Sequence, residues 1–370
     1  MAERVRITWN ELAMRGEAPW NVYDDKGKLL ISSGQKLNKG MLDNLAHYIL
    51  YRDEREDYGG LKVKTGTNAF EKFKELVWRL ENVFEDIEEK NPDCKEKVLH
   101  LVKDILMLVE DETDATLACV LLPHDYPYTL SHPIQCAIIC AVMSSHLSLP
   151  KHEKEMLIAA ALVCNISIRD LQEELLDTKE ELTEEQKDEV RHHPLSSSRM
   201  LIDAGFGDGV MHSIIMGHHE RCDGSGYPRG TFYHEIAKGA LILAIADSYC
   251  AMVTDRHYVA ITSVKDALSQ LLLDKGELYG SKYEMLLIKE MSIFPPGCFV
   301  RLTNGEIAIV IKRGKQNPMQ PMVKSLFGPD KQRYANPLVR DCSINAYEIA
   351  GILGKVPDIP LNTSKLWDYV

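Results

Sequence analysis

The sequence predicts a mainly α-helical protein with a small α+β segment near its start and a small β-containing unit near its end. Apolar residues recur every three or four positions along Phe70–Ile87 and along Val98–Val109, which is typical of amphipathic helices. Between about residues 116 and 292, longer apolar runs predict helices buried on most faces. After Pro296 the pattern turns to short strands, with Asn304-Gly305 as a hairpin turn.

The order of these patterns predicts four segments. Short alternating stretches surround Asp25-Lys26-Gly27, which we interpret as a hairpin turn, and Gly59-Gly60 indicates a linker. The segments are an N-terminal α+β regulatory domain (1–65), a helical linker or hairpin (66–115), a helical domain (116–292) and a C-terminal β-containing unit (293–370). The stripe on Phe70–Ile87 could pack internally or against a second copy, so the sequence leaves the oligomeric state open.

Charge excludes some classes of partner. The chain of 370 residues carries 43 Lys and Arg against 55 Asp and Glu, a formal net charge of −12. Because binding to nucleic acid or to an acidic membrane surface requires concentrated positive charge, we expect neither partner.

The cysteines and the hydropathy of the sequence favour one cellular compartment. The nine cysteines form no CxxC pair and lie largely in apolar runs, which favours reduced, buried thiols. No apolar run reaches 18 residues, so we expect a cytoplasmic protein.

The densest cluster of chemically active residues runs from Gly217 to Pro228 and contains His218-His219. Adjacent residues of a regular helix point about 100° apart, so two such histidines can share one metal only where a helix ends. The glycines and the proline that follow predict such an end. Outside this context, an adjacent histidine pair is more often part of an exposed surface than a ligand set.

Three further residues lie in unusual positions. His132 opens an apolar helix, His193 precedes Pro194 at a predicted helix start, and Asp247 interrupts the apolar run 241–246. A buried aspartate is costly unless it is paired or binds a metal. Each residue also has a simpler interpretation: a cap for His132, a turn residue for His193 and a buried hydrogen-bonding group for Asp247.

In order and spacing, these elements resemble the HD-GYP family of metal-dependent phosphohydrolases, which hydrolyse cyclic di-GMP. The loop Asp223-Gly-Ser-Gly-Tyr-Pro228 after His218-His219-Glu220 is similar to the family signature. Further matches are Ala246-Asp247, Thr254-Asp255-Arg256 with Tyr258, and Leu182-Thr183-Glu184-Glu185 leading to His193-Pro194. The resemblance covers roughly residues 116–292.

The resemblance implies an HD-type helical bundle with one pocket. Its implied metal ligands are His132, His193, His218, His219 and Asp247. The implied ligand-binding or partner-binding residues are Asp223, Gly226, Tyr227, Pro228 and Arg256, and we expect the loop 223–228 to be exposed beside the pocket. Cys164 and Asn165 are expected to line the same pocket.

The chain departs from the family at the His-Asp pair, which is replaced by Cys164-Asn165. The lysine that follows becomes Ile168, a later aspartate becomes Cys250, and a basic residue becomes Val259. In the family the aspartate bridges two metal ions that activate a water for attack on phosphorus. Asn165 offers only a neutral oxygen, although Cys164 could bind a soft metal as a thiolate.

We therefore expect one divalent metal (zinc, iron or manganese) at His193, His218 and His219, with His132 and Asp247 as the remnant of a second site. The hypothesis is a bacterial cyclic di-GMP signalling protein with impaired catalysis. It would bind the nucleotide, a related nucleotide, or a partner such as a diguanylate cyclase (GGDEF) protein. The alternatives are an active phosphodiesterase with an altered ligand set, and a structural adaptor that binds neither metal nor nucleotide.

Overall fold

The computed structural model describes most of the chain in two compact units. The described residues are 4–7, 18, 21–32, 35–38, 40–41, 45, 48, 50–53, 67–176, 181–254, 264–273, 277–314, 316–354 and 361–369. One unit comprises residues 1–65 with 364–370, and the other comprises residues 66–363. The predicted division into four segments stays a prediction.

The first unit contains an antiparallel sheet of four strands in the order β1-β4-β2-β3. The strands are β1 (Arg4–Ile7), β2 (Val22–Tyr23), β3 (Leu29–Ile31) and β4 (Leu50–Asp53). Between β2 and β3, Asp24 Oδ1 accepts from the backbone N–H groups of Lys26 and Lys28, and Gly27 adopts a φ of 85°. These contacts form the turn that the sequence predicts.

The second unit is mainly helical and ends in a sheet, so the predicted mainly α fold is confirmed. Its helices are α1 (Ala69–Glu88), α2 (Cys94–Leu121), α3 (Tyr128–Ser145), α4 (Lys151–Val163), α5 (Arg169–Leu176), α6 (Glu184–Asp203), α7 (Gly209–Gly217), α8 (Lys238–Val253), α9 (Val264–Leu273) and α10 (Ser281–Met291). A 3-10 turn, Ile166–Ile168, joins α4 to α5. A short helix, α11 (Thr363–Leu366), begins at the last residue of the second unit, and its other residues belong to the first unit. No helix in these described ranges has both the length and the apolar character needed to cross a membrane.

Local sequence signals define the first two helices. The Asn68 side chain caps α1 by accepting from the N–H groups of Phe70 and Glu71, and the predicted apolar stripe is buried. Helix α2 continues past its predicted stripe and is kinked at Glu112, whose φ and ψ are −136° and 47°. At the kink, Thr116 Oγ1 lies 2.8 Å from the carbonyl of Glu112 and 3.2 Å from that of Leu108, which Glu112 N–H would bond in a regular helix.

Helices α3, α4 and α8 form the centre of the unit. The residues of α3 from Thr129 to Ser144 are all buried, as are those of α4 from Met156 onward. Helix α3 packs against α2, α4 and α8. These are the runs whose continuous apolar character predicted buried helices.

The prediction that His193 lies at a helix start is wrong. Helix α6 begins nine residues earlier, at Glu184, because Thr183 and Gln186 form a capping box with reciprocal side-chain hydrogen bonds. Pro194 therefore lies inside the helix, where it cannot donate a backbone hydrogen bond to the carbonyl of Val190.

The C-terminal sheet has five antiparallel strands in the order β8-β7-β6-β5-β9. The strands are β5 (Phe299–Leu302), β6 (Ile307–Lys312), β7 (Met322–Phe327), β8 (Arg333–Asp341) and β9 (Ile349–Ile352). The predicted turn at Asn304-Gly305 connects β5 to β6, with Gly305 at a φ of 91°.

A buried carboxylate joins three strands of this sheet. Glu306, 3% exposed, accepts from Ser325 Oγ at 2.5 Å and from Tyr334 Oη at 3.0 Å. Arg340 donates to both of its oxygens, at 3.0 and 2.9 Å. These bonds hold the pKa of Glu306 below its usual value, although burial acts to raise it.

Replacing Glu306 should therefore destabilise the second unit. Glu306→Ala leaves the half-buried Arg340 guanidinium without its carboxylate and removes the acceptor of Ser325 and Tyr334, so we expect the free energy of unfolding to fall by about 3 kcal/mol. Urea denaturation measures this change. The matched control is Glu348→Ala, at an exposed site of the same sheet, with an expected change within about 0.5 kcal/mol. Equal effects of the two substitutions would show that the Glu306 network does not stabilise the sheet.

Candidate metal centre

A cavity of about 240 Å³ collects most of the predicted site residues. It is lined by Tyr128, His132, Asn165, Ile168, Gln172, Leu175, Leu176, Val190, His193, His219, Tyr227 and Asp247. These residues come from α3, the 3-10 turn, α5, α6, the loop after α7, and α8. The fold thus brings together residues that lie more than 100 positions apart in the chain.

Three histidines form the first potential ligand group. One ring nitrogen from each of His193, His218 and His219 lies within 4.8 Å of the others. The Nε2 atoms of His193 and His218 are 3.2 Å apart. Two nitrogens bound to one tetrahedral zinc ion are separated by about 3.4 Å, so these two atoms could share an ion with little movement.

The tautomer of His193 follows from the helix that carries it. Its Nδ1 donates to the carbonyl of Val190 at 2.7 Å. In a regular helix this carbonyl would accept from the residue four positions later, but that residue is Pro194, which has no N–H. The proline thus frees the acceptor that holds the imidazole, and the Nε2 lone pair points away from the helix backbone.

His218 is held in the same way at the end of another helix. Helix α7 ends at Gly217, and the last carbonyls of a helix lack intrahelical partners. His218 Nδ1 donates to one of them, that of Ile215, at 2.6 Å. The helix end also turns the backbone at His218, which lets His219 reach the same group, as the sequence predicts for adjacent histidines.

The electrostatics of this group favour a cation. Burial lowers the pKa of His193 to about 3, lowers that of His218, and lowers that of His219 well below its usual value. The rings of His193 and His218 are therefore neutral at physiological pH and carry their protons on Nδ1. Neither Nε2 can donate to the other, so two lone pairs face each other at 3.2 Å. A metal ion would convert this repulsion into two bonds, and hydrogen bonds from the second ring nitrogen are typical of metal-bound histidines.

A second group combines His132, Cys136 and Asp247, whose ligand atoms also lie within 4.8 Å of one another. His132 Nε2 is 2.8 Å from Asp247 Oδ1, and its ring stacks on Tyr128 at 4.8 Å. Burial acts to lower the pKa of His132, but Cys136 and the Asp247 carboxylate outweigh it and raise the pKa to about 10. Asp247 is therefore paired with His132.

The loop after α7 is built around Glu220. This residue is fully buried, and its carboxylate accepts from the backbone N–H groups of Arg229, at 2.8 Å, and Thr231, at 2.9 Å. The role of Glu220 is not predictable from the sequence. The only signal in the sequence is a charged residue beside a glycine-rich loop. The partners of its carboxylate are backbone groups, which a residue pattern does not reveal.

Gly226 and Tyr227 are neighbours in this loop, and Tyr227 completes the wall of the cavity. A side chain at Gly226 would meet the backbone nitrogen of Arg221 at 2.3 Å, so only glycine fits this close approach. Tyr227 N donates to the carbonyl of His219, and its ring stacks on the His219 ring at 4.7 Å. The expectation of an exposed loop is therefore only partly correct. Asp223 is exposed, whereas Tyr227 is half-buried against a histidine.

The residues that depart from the family pattern take different places. Asn165 and Ile168 line the cavity, and the buried Asn165 Oδ1 atom has no hydrogen-bond partner within the part of the chain that the structure describes. The prediction that Cys164 also lines it is wrong: the Cys164 side chain is buried and its thiol lies 3.9 Å from the carbonyl of Ala161. Cys164 directly follows the last residue of α4, and its side chain points back toward that helix. Arg256 lies outside the described residues, as do Asp255, Tyr258 and Val259.

Comparisons with known proteins identify one matching family, several related sequences and a similar fold. Residues 117–282 match the HD domain family. A cyclic di-GMP phosphodiesterase of Pseudomonas aeruginosa is 27% identical over 61% of this chain and 55% of its own length. The cyclic di-GMP phosphodiesterase PdeB of Borreliella burgdorferi is 22% identical over 54% of this chain and 52% of its own length. The chain thus spans about half the length of these two relatives.

The match to the HD domain family spans every residue that lines the cavity. A further relative, 3'3'-cGAMP-specific phosphodiesterase 1 of Vibrio cholerae, is 30% identical over 38% of this chain and 33% of its own length. Among solved structures, an HDG"Y"P protein from Bdellovibrio bacteriovorus aligns with a TM-score of 0.52 and 15% identity, covering 78% of this chain and 99% of that chain. At 15% identity, this similarity is one of fold alone.

Removing one histidine of the first group should weaken metal binding. For His193→Ala we expect the zinc dissociation constant to rise more than about 100-fold, because loss of an outer hydrogen bond alone costs 10- to 100-fold. The control is His192→Ala: the neighbouring His192 is exposed, and its Nδ1 contacts the Asp188 carbonyl. Competition with a chromophoric chelator measures both variants. Equal affinities of His193→Ala and His192→Ala would rule out the three-histidine site.

Proposed function

We propose that this chain acts in cyclic di-GMP signalling, and that its HD domain binds a cyclic dinucleotide or a protein partner while hydrolysing the nucleotide poorly or not at all. The names of the relatives support the nucleotide class. The observation that carries the second half of the proposal is that Asn165 and Ile168 line the same cavity as His193 and His219.

The charge balance of the cavity supports one bound ion over two. Asp247 is the one carboxylate among the described residues that line it, and the three histidines of the first group are neutral. Two divalent ions would bring four positive charges to a partly buried site with one negative charge. Asn165 adds an oxygen but no charge, so close packing of two ions would meet strong repulsion.

The ligand atoms of the first histidine group favour some metal ions over others. The first group offers three imidazole nitrogens, which suit zinc and iron better than they suit manganese. When bound, such an ion would supply an electrophilic anchor for a phosphate oxygen. The lining residues would leave the developing negative charge without further support, because Ile168 is apolar and no Lys or Arg is found among the described residues of the cavity wall.

A wider neighbouring cavity supports the binding of a nucleotide with two phosphates. It measures about 530 Å³ and shares Val190 and Tyr227 with the first cavity. Lys187 and Arg191, both on α6, contribute positive charge to its lining. One phosphate of a cyclic dinucleotide would lie at the histidines and the other near these two cations, with Tyr227 between them. A diguanylate cyclase as partner rests on the family resemblance alone.

The second candidate function is an active phosphodiesterase with an altered ligand set. The histidine geometry favours it, because the Nε2 atoms of His193 and His218 already lie at the separation that one ion requires. The printed names of the relatives favour it as well. Turnover of cyclic di-GMP distinguishes the two functions.

Tyr227 tests the binding half of the proposal. Tyr227→Ala removes the ring that connects the two cavities, so we expect the affinity for cyclic di-GMP to fall by about tenfold, or roughly 1.4 kcal/mol. Isothermal titration calorimetry on the metal-loaded protein measures the change. Tyr233→Ala, at a 50% exposed tyrosine outside the first cavity, is the control and should bind normally. A Tyr227 variant that loses its thermal unfolding transition would indicate a structural residue instead.

Restoring the family residues tests the catalytic half. The double variant Cys164→His with Asn165→Asp should bind more metal than the wild type, because it regains a carboxylate at the cavity. We expect clear turnover only when Ile168→Lys is added, since a cationic group that stabilises a transition state contributes roughly 3 to 4 kcal/mol. The assay follows cyclic di-GMP hydrolysis with manganese or iron supplied to all three proteins. Robust turnover by the wild type would contradict impaired catalysis and establish the second candidate function.

A further inference from the structure

Helices α1 and α2 each carry a large apolar side chain on the face turned away from the core of the second unit. Trp78 of α1 is 64% exposed, and Met107 of α2 is 51% exposed. Tryptophan is among the residues most enriched in the hot spots of protein interfaces. We propose that the outer faces of α1 and α2 pair with the same faces of a second copy of this chain, which gives a dimer joined by a four-helix bundle.

Helical geometry shows that these two side chains point away from the core. Residues two positions apart lie about 200° apart around a helix. Trp78 is two positions from Leu76 and from Leu80, which are both fully buried. In the same way, Met107 is two positions from the fully buried Ile105. The face opposite the core of an amphipathic helix is ordinarily polar, so a large apolar residue in its middle indicates a partner.

Two ion pairs define the register of these helices, which pack against each other. Arg79 pairs with Asp104, and further along the hairpin Asp86 pairs with Lys97. From the first pair to the second, the chain advances along α1 by as many residues as it goes back along α2. The two helices are therefore antiparallel, and each step forward on one corresponds to one step back on the other.

This register places the two exposed apolar residues at nearly the same height. Trp78 is level with Ile105, two residues from Met107, so the difference in height is about 3 Å. A two-fold axis parallel to the helices keeps every height unchanged and places α1 of one copy beside α2 of the other. Trp78 then packs against Met107 of the second copy, and a sulfur–aromatic contact adds to the burial of apolar surface.

The exposed charges on the same outer faces are complementary in this arrangement. On α1, a basic residue precedes the tryptophan and an acidic residue follows it, Lys74 and Glu81. On α2 the order along the chain is the same around the methionine, with Lys103 before it and Glu110 after it. Because the helices are antiparallel, Lys74 lies within one residue of the level of Glu110, and Glu81 within one residue of that of Lys103. Opposite charges therefore meet on both sides of the apolar contact, which favours one orientation and register.

The size of the face suits a reversible dimer. Helix α1 has 20 residues and is therefore about 30 Å long. Two helices packed side by side are about 20 Å wide, so the face offers roughly 600 Å² per copy. The total of roughly 1,200 Å² is at the lower end of specific interfaces, and we expect a dissociation constant in the micromolar range.

Analytical ultracentrifugation of the full chain at concentrations across the micromolar range tests the dimer. The mass of the wild type should rise with concentration from that of one copy to that of two. Trp78→Ala should raise the dissociation constant of the dimer at least about 30-fold, as expected for the loss of a tryptophan hot spot. The control is Met285→Ala, which removes a 59% exposed methionine of α10 and should leave dimerisation unchanged.

Exchanging the charges tests the register. Lys103→Glu and Glu81→Lys should each weaken the dimer, because each variant brings like charges together across its own interface. An equal mixture of the two variants should dimerise as the wild type does, since both contacts of the mixed dimer join opposite charges. A charge pair within one chain cannot produce this rescue. All four substitutions lie at exposed positions, and circular dichroism checks that each variant is folded.

A wild-type protein that stays monomeric would overturn the inference, as would a Trp78→Ala variant that dimerises normally or a mixture without rescue. Protection of Trp78 from oxidative footprinting in a monomer would show that another part of the chain occupies this face, with the same consequence. Neither a metal ion nor a nucleotide enters these experiments, so they test the dimer separately from the proposed function.

Discussion

Two imidazole lone pairs that face each other across 3.2 Å are the constraint on which the site depends. The Nε2 atoms of His193 and His218 cannot hydrogen-bond to each other, because each ring keeps its proton on Nδ1, against a backbone carbonyl. Both carbonyls are free because the helices are irregular there, with Pro194 inside one helix and the end of the other near Ile215. The breaks in backbone hydrogen bonding therefore orient the ligands.

The rest of the fold keeps this arrangement in place. Helices α3, α4 and α8 are buried on most faces, so Asp247 has little freedom to move away from its partner on α3. The loop that closes the cavity is held by the Glu220 carboxylate, and Gly226 permits its backbone to pass directly against that of Arg221. The loop thus keeps Tyr227 against the histidines without contributing a ligand.

Local signals predicted the fold well. The stripe on Phe70–Ile87 and the turn at Asn304-Gly305 are formed by neighbouring residues, and both are found where the sequence predicts them. The helix start at His193 was predicted wrongly because a proline usually marks the first turn of a helix, and the stronger signal was the capping box at Thr183.

The site could be predicted only where its residues belong to a motif. Cys136 was interpreted as a buried thiol, although its spacing of four from His132 was visible in the sequence. Its proximity to Asp247 depends on the packing of two distant helices, which no local pattern reveals. The side-chain direction of Cys164 likewise depends on where α4 ends.

Anomalous diffraction from crystals soaked with zinc tests the central claim most directly, because it locates an ion without reference to activity. The account predicts a peak within about 2.1 Å of the Nε2 atoms of both His193 and His218, close to His219. No peak at this position in fully soaked crystals, or Nε2 atoms separated by more than about 4.2 Å, would contradict it.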